Sequence, residues 1–193
     1  MKSAVLSDSH FKLPAAPLHR KILLSLKQEN ISVLFLVGDI QDSSPDEMDE
    51  YFSLVREILP DVIVITVFGN HDFKHLAHAK NTPQKKGDKI FDSIQKRQHE
   101  SGPSWDQTIS LHKKLCQKHQ VLSLNGESHQ LTDKTTVLGF NGWYGAETKE
   151  NPTSDYLYLP TTISGKDAFD YLHEKAKNDF NKILKLKVAK NVV

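Results

Sequence analysis

The chain has 193 residues, with 25 Lys+Arg, 24 Asp+Glu and one Cys. At about 150 residues per domain this length predicts a single domain, and 38% hydrophobic against 25% charged residues supports a core and excludes wholesale disorder. A formal net charge of +1 gives no general drive toward nucleic acid or acidic membranes, and one cysteine excludes an internal disulfide scaffold and fits a reducing compartment. The longest apolar stretch, Val62 to Phe68, is far short of the roughly 20 residues a membrane helix needs. At the N-terminus one Lys and then Ala4-Val5-Leu6 precede Asp8, which is not the pattern of a signal peptide. The expectation is a cytoplasmic α/β domain with no membrane contact.

Ala4-Val5-Leu6 reads as a short buried strand closed by Ser7-Asp8-Ser9-His10. Leu18, Ile22, Leu23 and Leu26 follow at helical spacing. Val33 to Val37 is a continuous β-rich run ending at Gly38-Asp39, and Ser44-Pro45-Asp46-Glu47 has the form of a capping box with Pro at the first helical position. Met48, Tyr51, Phe52, Val55, Ile58 and Leu59 continue that helix, and Val62 to Phe68 is a third strand closed by Gly69-Asn70-His71-Asp72. Strands apolar throughout, alternating with amphipathic helices, predict a parallel sheet covered on both faces. Residues 73 to 102 are polar and read as loop plus weak helix. Trp105, Ile109, His112, Leu115 and Cys116 predict a helix, with Cys116 as a small core residue. Val121 to Leu124 and Thr135 to Phe140 read as strands paired antiparallel around Thr132-Asp133-Lys134. Asn141 to Gly145 reads as a Gly-rich aromatic turn, and Phe169 to Leu184 as a long amphipathic helix.

The chemistry-bearing residues recur with the strands. Asp8 and His10 follow the first, Asp39 the second, and Asn70 and His71 the third, at intervals of 31 to 32 residues. A strand-helix-strand unit takes about 30 residues, so each motif falls just past the carboxyl end of its strand. In an open parallel sheet those ends face one crevice. Carboxylate, imidazole and amide oxygen together suit a divalent metal such as Mn, Fe or Zn. Any one such motif is most simply strand-end punctuation; the three in this order and spacing are not.

Asp8-Ser9-His10, Gly38-Asp39-Ile40-Gln41-Asp42 and Gly69-Asn70-His71-Asp72 resemble the motifs of the calcineurin-like metallophosphoesterases. The resemblance implies an αββα sandwich around a dinuclear site that hydrolyses phosphomonoesters or phosphodiesters with a metal-activated hydroxide. It also implies roles: Asp8 and His10 on the first metal, Asp39 bridging both, Asn70 on the second. His71 would be the acid for the leaving oxygen, with Asp42 orienting it. Two divalent ions (Mn, Fe or Zn) are the expected cofactors and a phosphoester is the expected partner.

Three departures qualify the match. Phe11 stands where the family often has Gly. Ser43-Ser44-Pro45 stands where protein phosphatases of the family carry Arg, which argues against that substrate class. The chain also contains no His-x-His, and its last histidine, His173, lies in an amphipathic helix. The expectation is therefore a single metallophosphoesterase-like domain, 1–193, truncated at its C-terminal end. Such a domain would hold one metal rather than two, with an unprotected sheet edge open to self-association. The alternatives are a catalytically weak or inactive fragment that binds one metal or a partner, and a nuclease of the same superfamily. His75 and His78 read as a surface pair, His112 and His119 as half-buried packing, and His129 carries no assignment. The seven Lys/Arg between Lys74 and Arg97 read as a solvated face before a nucleic-acid approach. Trp143 and Tyr144 could form an aromatic lip over the substrate. Asn30-Ile31-Ser32 matches a glycosylation sequon with nothing to place the chain in a secretory compartment.

Overall fold

In a computed structural model, residues 1–41, 45–73, 105–141, 162–163, 166–185 and 191–192 are described. Strand β1 (Ser3–Leu6) leads through a 3₁₀ turn at Leu13–Ala15 to helix α1 (Ala16–Gln28) and β2 (Val33–Val37). Helix α2 (Pro45–Ile58) leads to β3 (Ile63–Val67) and a second 3₁₀ turn at His71–Phe73. Helix α3 (Trp105–Lys118) precedes β4 (Val121–Ser123). The hairpin β5 (Glu127–Thr132) and β6 (Thr135–Gly139) follows, then β7 (Thr162–Ile163), β8 (Lys166–Asp167), α4 (Ala168–Leu184) and β9 (Asn191–Val192).

The first four strands form a parallel sheet in the order β1-β2-β3-β4. Sequential order with right-handed crossovers puts every crossover helix on one face, and α1, α2 and α3 do touch in that order. The opposite face is left for a second sheet, β5-β6-β9. Alternation along the strands sorts the side chains accordingly. Leu34, Leu36 and Val64 join Met48, Tyr51, Phe52, Val55 and Cys116 under the helices. Val33 and Ile65 meet Leu124 and Val137 between the sheets. This explains why β2 is apolar at every position and β3 at all but Thr66, whose hydroxyl is buried and donates to Leu36 O at 3.1 Å: both faces are covered.

The structure corrects several local expectations. The antiparallel partner of β6 is β5, not residues 121 to 124; of those, Val121–Ser123 form β4, which pairs in parallel with β3. The Glu-Ser-His-Gln-Leu-Thr text of β5 alternates exposed and half-buried residues and so lacks the apolar run that marks a covered strand. On α1 the buried stripe is His19 and Leu23, with Leu26 half-buried, while Leu18 and Ile22 face outward. On β1, Ala4 and Leu6 are half-buried but Val5 is 63% exposed. That strand pairs only with β2 among the described strands. The helices at Pro45, Trp105 and the C-terminal region form as the apolar spacing predicts. Cys116 is buried and free, and burial pushes its thiol up to about 12, so it is an inert core residue. Among the described residues no helix is long and apolar enough to cross a membrane.

Candidate metal centre

Parallel strands of matched register end together. Leu6, Leu36 and Thr66 are aligned across the sheet, so the loops after β1, β2 and β3 emerge side by side. They are then stitched to one another. Asp8 N–H donates to Gly38 O at 3.2 Å, His10 N–H to Asp39 O at 2.9 Å and Phe11 N–H to Ile40 O at 2.8 Å. Gly38 N–H donates to Val67 O at 3.0 Å. His71 N–H donates to Asp39 Oδ1 at 2.9 Å.

The stitching forces unusual backbone. Among the described residues five non-glycine residues have positive φ: Asp8, His10, Asn30, Asp39 and Gln120. Asn30 and Gln120 follow the ends of α1 and α3, where a left-handed residue ordinarily terminates a helix. Asp8 (φ 54°), His10 (φ 41°) and Asp39 (φ 52°) have no such explanation and sit together at the strand ends. Each such conformation costs on the order of 1–3 kcal/mol and persists where surrounding contacts impose it. Two glycines permit the approach. Gly38 has φ 76°, and a Cβ there would sit 3.0 Å from Gly69 Cα. A Cβ on Gly69 would lie 2.2 Å from Asp39 Oδ1. The Gly-Asp and Gly-Asn-His-Asp texts are thus two halves of one contact.

The result is a cluster. One ligand atom from each of His10, Asp39 and His71 lies within 4.8 Å of the other two. His10 Nε2 is 3.9 Å from Asp39 Oδ2, and the His10 and His71 rings meet edge-on with centroids 4.4 Å apart. Two imidazole nitrogens and a carboxylate oxygen, all half-buried or buried, form a donor set that fits Zn, Fe or Mn.

The other expected site residues divide. Asp8 is exposed and its carboxylate accepts the Ser7 hydroxyl; it stands outside the three-residue cluster. Asn70 is half-buried beside His71 and its carbonyl accepts Phe73 N–H at 3.2 Å. Asp42, Trp143, Tyr144, His75, His78 and the Lys74–Arg97 segment lie outside the described residues. His112 is fully buried against Phe68 and Phe73. His119 packs on Phe52 and contacts Asp49 Oδ1 through Nε2 at 2.6 Å. Phe11 is buried against His19 and Tyr51 and bridges to Gln41, so the bulky residue after His10 anchors its loop in the core.

Three residues had no role from sequence. Asp72 is fully buried beneath the cluster and accepts N–H groups from Ile40, Gln41 and Gly69. Burial pushes its carboxyl up to about 7 against the pull of those donors. Gln41 is fully buried and donates through Nε2 to Asp72 O at 3.0 Å. Asn141, buried just past β6, accepts Phe68 N–H at 3.1 Å and so ties the hairpin to the third loop. An Asx or Gln residue beside a ligand motif was the only available signal.

The calcineurin-like phosphoesterase superfamily domain matches residues 1–152, and the chain belongs to that superfamily. Its members carry out metal-dependent phosphoester hydrolysis, and the parallel four-strand sheet flanked by helices is consistent with their fold. No curated protein matches the chain.

Proposed function

We propose that this chain hydrolyses phosphomonoesters or phosphodiesters at the mouth formed by the β1, β2 and β3 loops. The observation that carries the reading is the convergence of His10, Asp39 and His71 on one point at the strand ends. Bound divalent ions supply Lewis-acid polarisation of phosphoryl oxygens and lower the pKa of a water near them. Asp39 has the central place: Oδ1 receives the His71 N–H while Oδ2 faces His10, so one carboxylate orients the second and third loops and still offers an oxygen. In this reading Asp8, His10, Asp39 and Asn70 hold the metal ions. The His71 imidazole, a side chain able to serve as a general acid, protonates the departing oxygen; Asp42 would orient it and Trp143 and Tyr144 would border the substrate.

The test is a titration of metal-freed protein with Mn²⁺ by calorimetry, run alongside hydrolysis of an aryl phosphate and a bis-aryl phosphate. Near-stoichiometric binding with metal-dependent release of phenolate supports the reading, and the relative rates separate monoesterase from diesterase. Binding without turnover supports a second reading, a one-ion site of little activity. That reading is favoured by the ligand count: among the described residues, three ligating groups converge, enough for one ion. A nuclease of the same superfamily would be distinguished by strongly salt-dependent DNA binding.

A further inference from the structure

We infer that Asp72 and Gln41 form a reciprocal clasp that positions the Asp39 carboxylate for metal, making Asp72 a positioning residue rather than the last letter of a ligand motif. The inference rests on the metal-site reading above, and its geometry is independent of it.

The second loop must turn back toward the third for Asp39 to face His71. Nothing covalent links them, and residue 39 is held at φ 52°. Asp72 supplies the link. Its Oδ1 accepts Ile40 N–H at 2.9 Å and Gln41 N–H at 3.2 Å, from the two residues after Asp39. Its Oδ2 accepts Gly69 N–H at 2.8 Å, from the start of its own loop. One carboxylate therefore spans both loops. Gln41 returns the bond, Nε2 donating to Asp72 O at 3.0 Å. Asp72 and Gln41 are both fully buried, so water cannot take over these partners. The ligand side of the same loops makes a matching pair of contacts: His71 N–H on Asp39 Oδ1, and Gly69 with no room for a Cβ beside that oxygen. Asp39 is thus bracketed, with the clasp beneath it and His71 beside it.

A buried carboxylate collecting three N–H donors is a strong, directional anchor. Asn in its place offers one oxygen and adds two N–H donors that would confront the donors of the opposite loop. Asp72→Asn should therefore let the second loop relax while the strands stay paired. Groups that orient metal ligands are typically worth 10–100-fold in metal affinity.

Two readouts test this. The first is amide hydrogen exchange on metal-free protein. Asp72→Asn should lower protection of the His71 amide at least tenfold. That amide bonds to Asp39 rather than to Asp72, and amides of Leu34 and Val64 in the core strands serve as the unchanged reference. The second is Mn²⁺ affinity by calorimetry, which should fall 10–100-fold. A residue that only held the fold together would lower protection in the core strands as well and leave the affinity of the folded fraction as in wild type. Gln41→Met removes only the return bond and should show the same pattern at His71 more weakly; it decides the matter if Asp72→Asn does not fold. Unchanged His71 protection in a folded variant would overturn the clasp. If wild-type protein bound no Mn²⁺, the metal-site reading would fall while the exchange experiment still decided the clasp.

Discussion

The loops after β1, β2 and β3 and the turn between β5 and β6 both close strands in a few residues, yet they are held in different ways. The hairpin turn is local. Lys134 N–H donates to Thr132 Oγ1 at 3.2 Å, two residues away, and the register shift between Gln130 and Thr132 stays inside the same pair of strands. The site loops are held by one another: first to second by three backbone bonds, second to third by Asp39, Asp72, Gln41 and the Gly38–Gly69 contact. A local turn can be altered alone. A mutually held set fails together, and it places three residues in left-handed conformations that no single loop would choose.

The largest effects should come from the residues at the centre of that set. Asp39→Asn removes the negative charge that faces His10 and weakens the oxygen accepting the His71 amide. Mn²⁺ binding and metal-dependent hydrolysis of an aryl phosphate should be lost, with the unfolding midpoint little changed because the residue lies past the strand end. His71→Asn should instead retain metal and lower turnover about 10²–10⁴-fold, the usual worth of general acid catalysis, with a smaller loss for substrates whose leaving groups need little protonation. Loss of metal in the His71 variant would make the imidazole a ligand, as its place within 4.8 Å of the other two donors allows.

A pair of glycines separates the two regions more sharply. A Cβ at Gly69 would meet Asp39 Oδ1 at 2.2 Å, and a Cβ at Gly139 would meet Leu124 Cβ at 2.6 Å between the sheets. Both Ala variants should cost stability of about 1–3 kcal/mol through overpacking, read by urea unfolding. Only Gly69→Ala should also depress Mn²⁺ affinity, because only there does the displaced neighbour carry a ligand oxygen. Equal losses of affinity in both would mean that the site depends on sheet packing in general.

The same contrast explains what the sequence disclosed. The parallel sheet and its strand-end motifs were legible because β2 and β3 are apolar at every position but Thr66 and the motifs repeat at the length of one strand-helix-strand unit. Their convergence follows from topology alone. Asp72, Gln41 and Asn141 were not legible as anchors, because their partners are backbone N–H and C=O groups, which have no signature in the sequence. Strand β5 was missed because its exposed face leaves it polar, and His19 was passed over because a buried histidine breaks the apolar stripe of α1.

His19 yields a smaller, pH-dependent effect. Its ring lies edge-on to Phe11 and Tyr51, and burial lowers its pKa below the ordinary value of 6.5. Between that lowered value and 6.5 the unfolded chain binds a proton that the folded chain does not. Stability therefore falls as pH drops through that window and levels off below it. His19→Gln should flatten this part of the pH–stability curve, measured on metal-free protein by denaturant unfolding from pH 7.5 to 5. A slope unchanged by the substitution would assign it to another group. Because Phe11 follows His10 directly, this pocket also links acid stability to the first site loop.

The smallest effect on the fold is expected at the edge farthest from the second sheet. Val5, in the middle of β1, is 63% exposed, and Val37, the last residue of β2, is 45% exposed. A cavity of about 230 Å³ lies between the sheets, lined by Phe35, Val37, Val67, Val137 and Phe140 among others. Since Val5 contributes little buried area, Val5→Lys should change stability by no more than about 0.5 kcal/mol. Among the described strands β1 is an edge, and it carries no charge within Ser3–Leu6; such an edge is where a second copy would pair, and a lysine there disfavours pairing. Sedimentation at increasing concentration should show less association for Val5→Lys than for wild type, at an unchanged unfolding midpoint. Equal association in the two proteins would place any self-contact away from β1, and a clear loss of stability would show that the face is covered within the monomer.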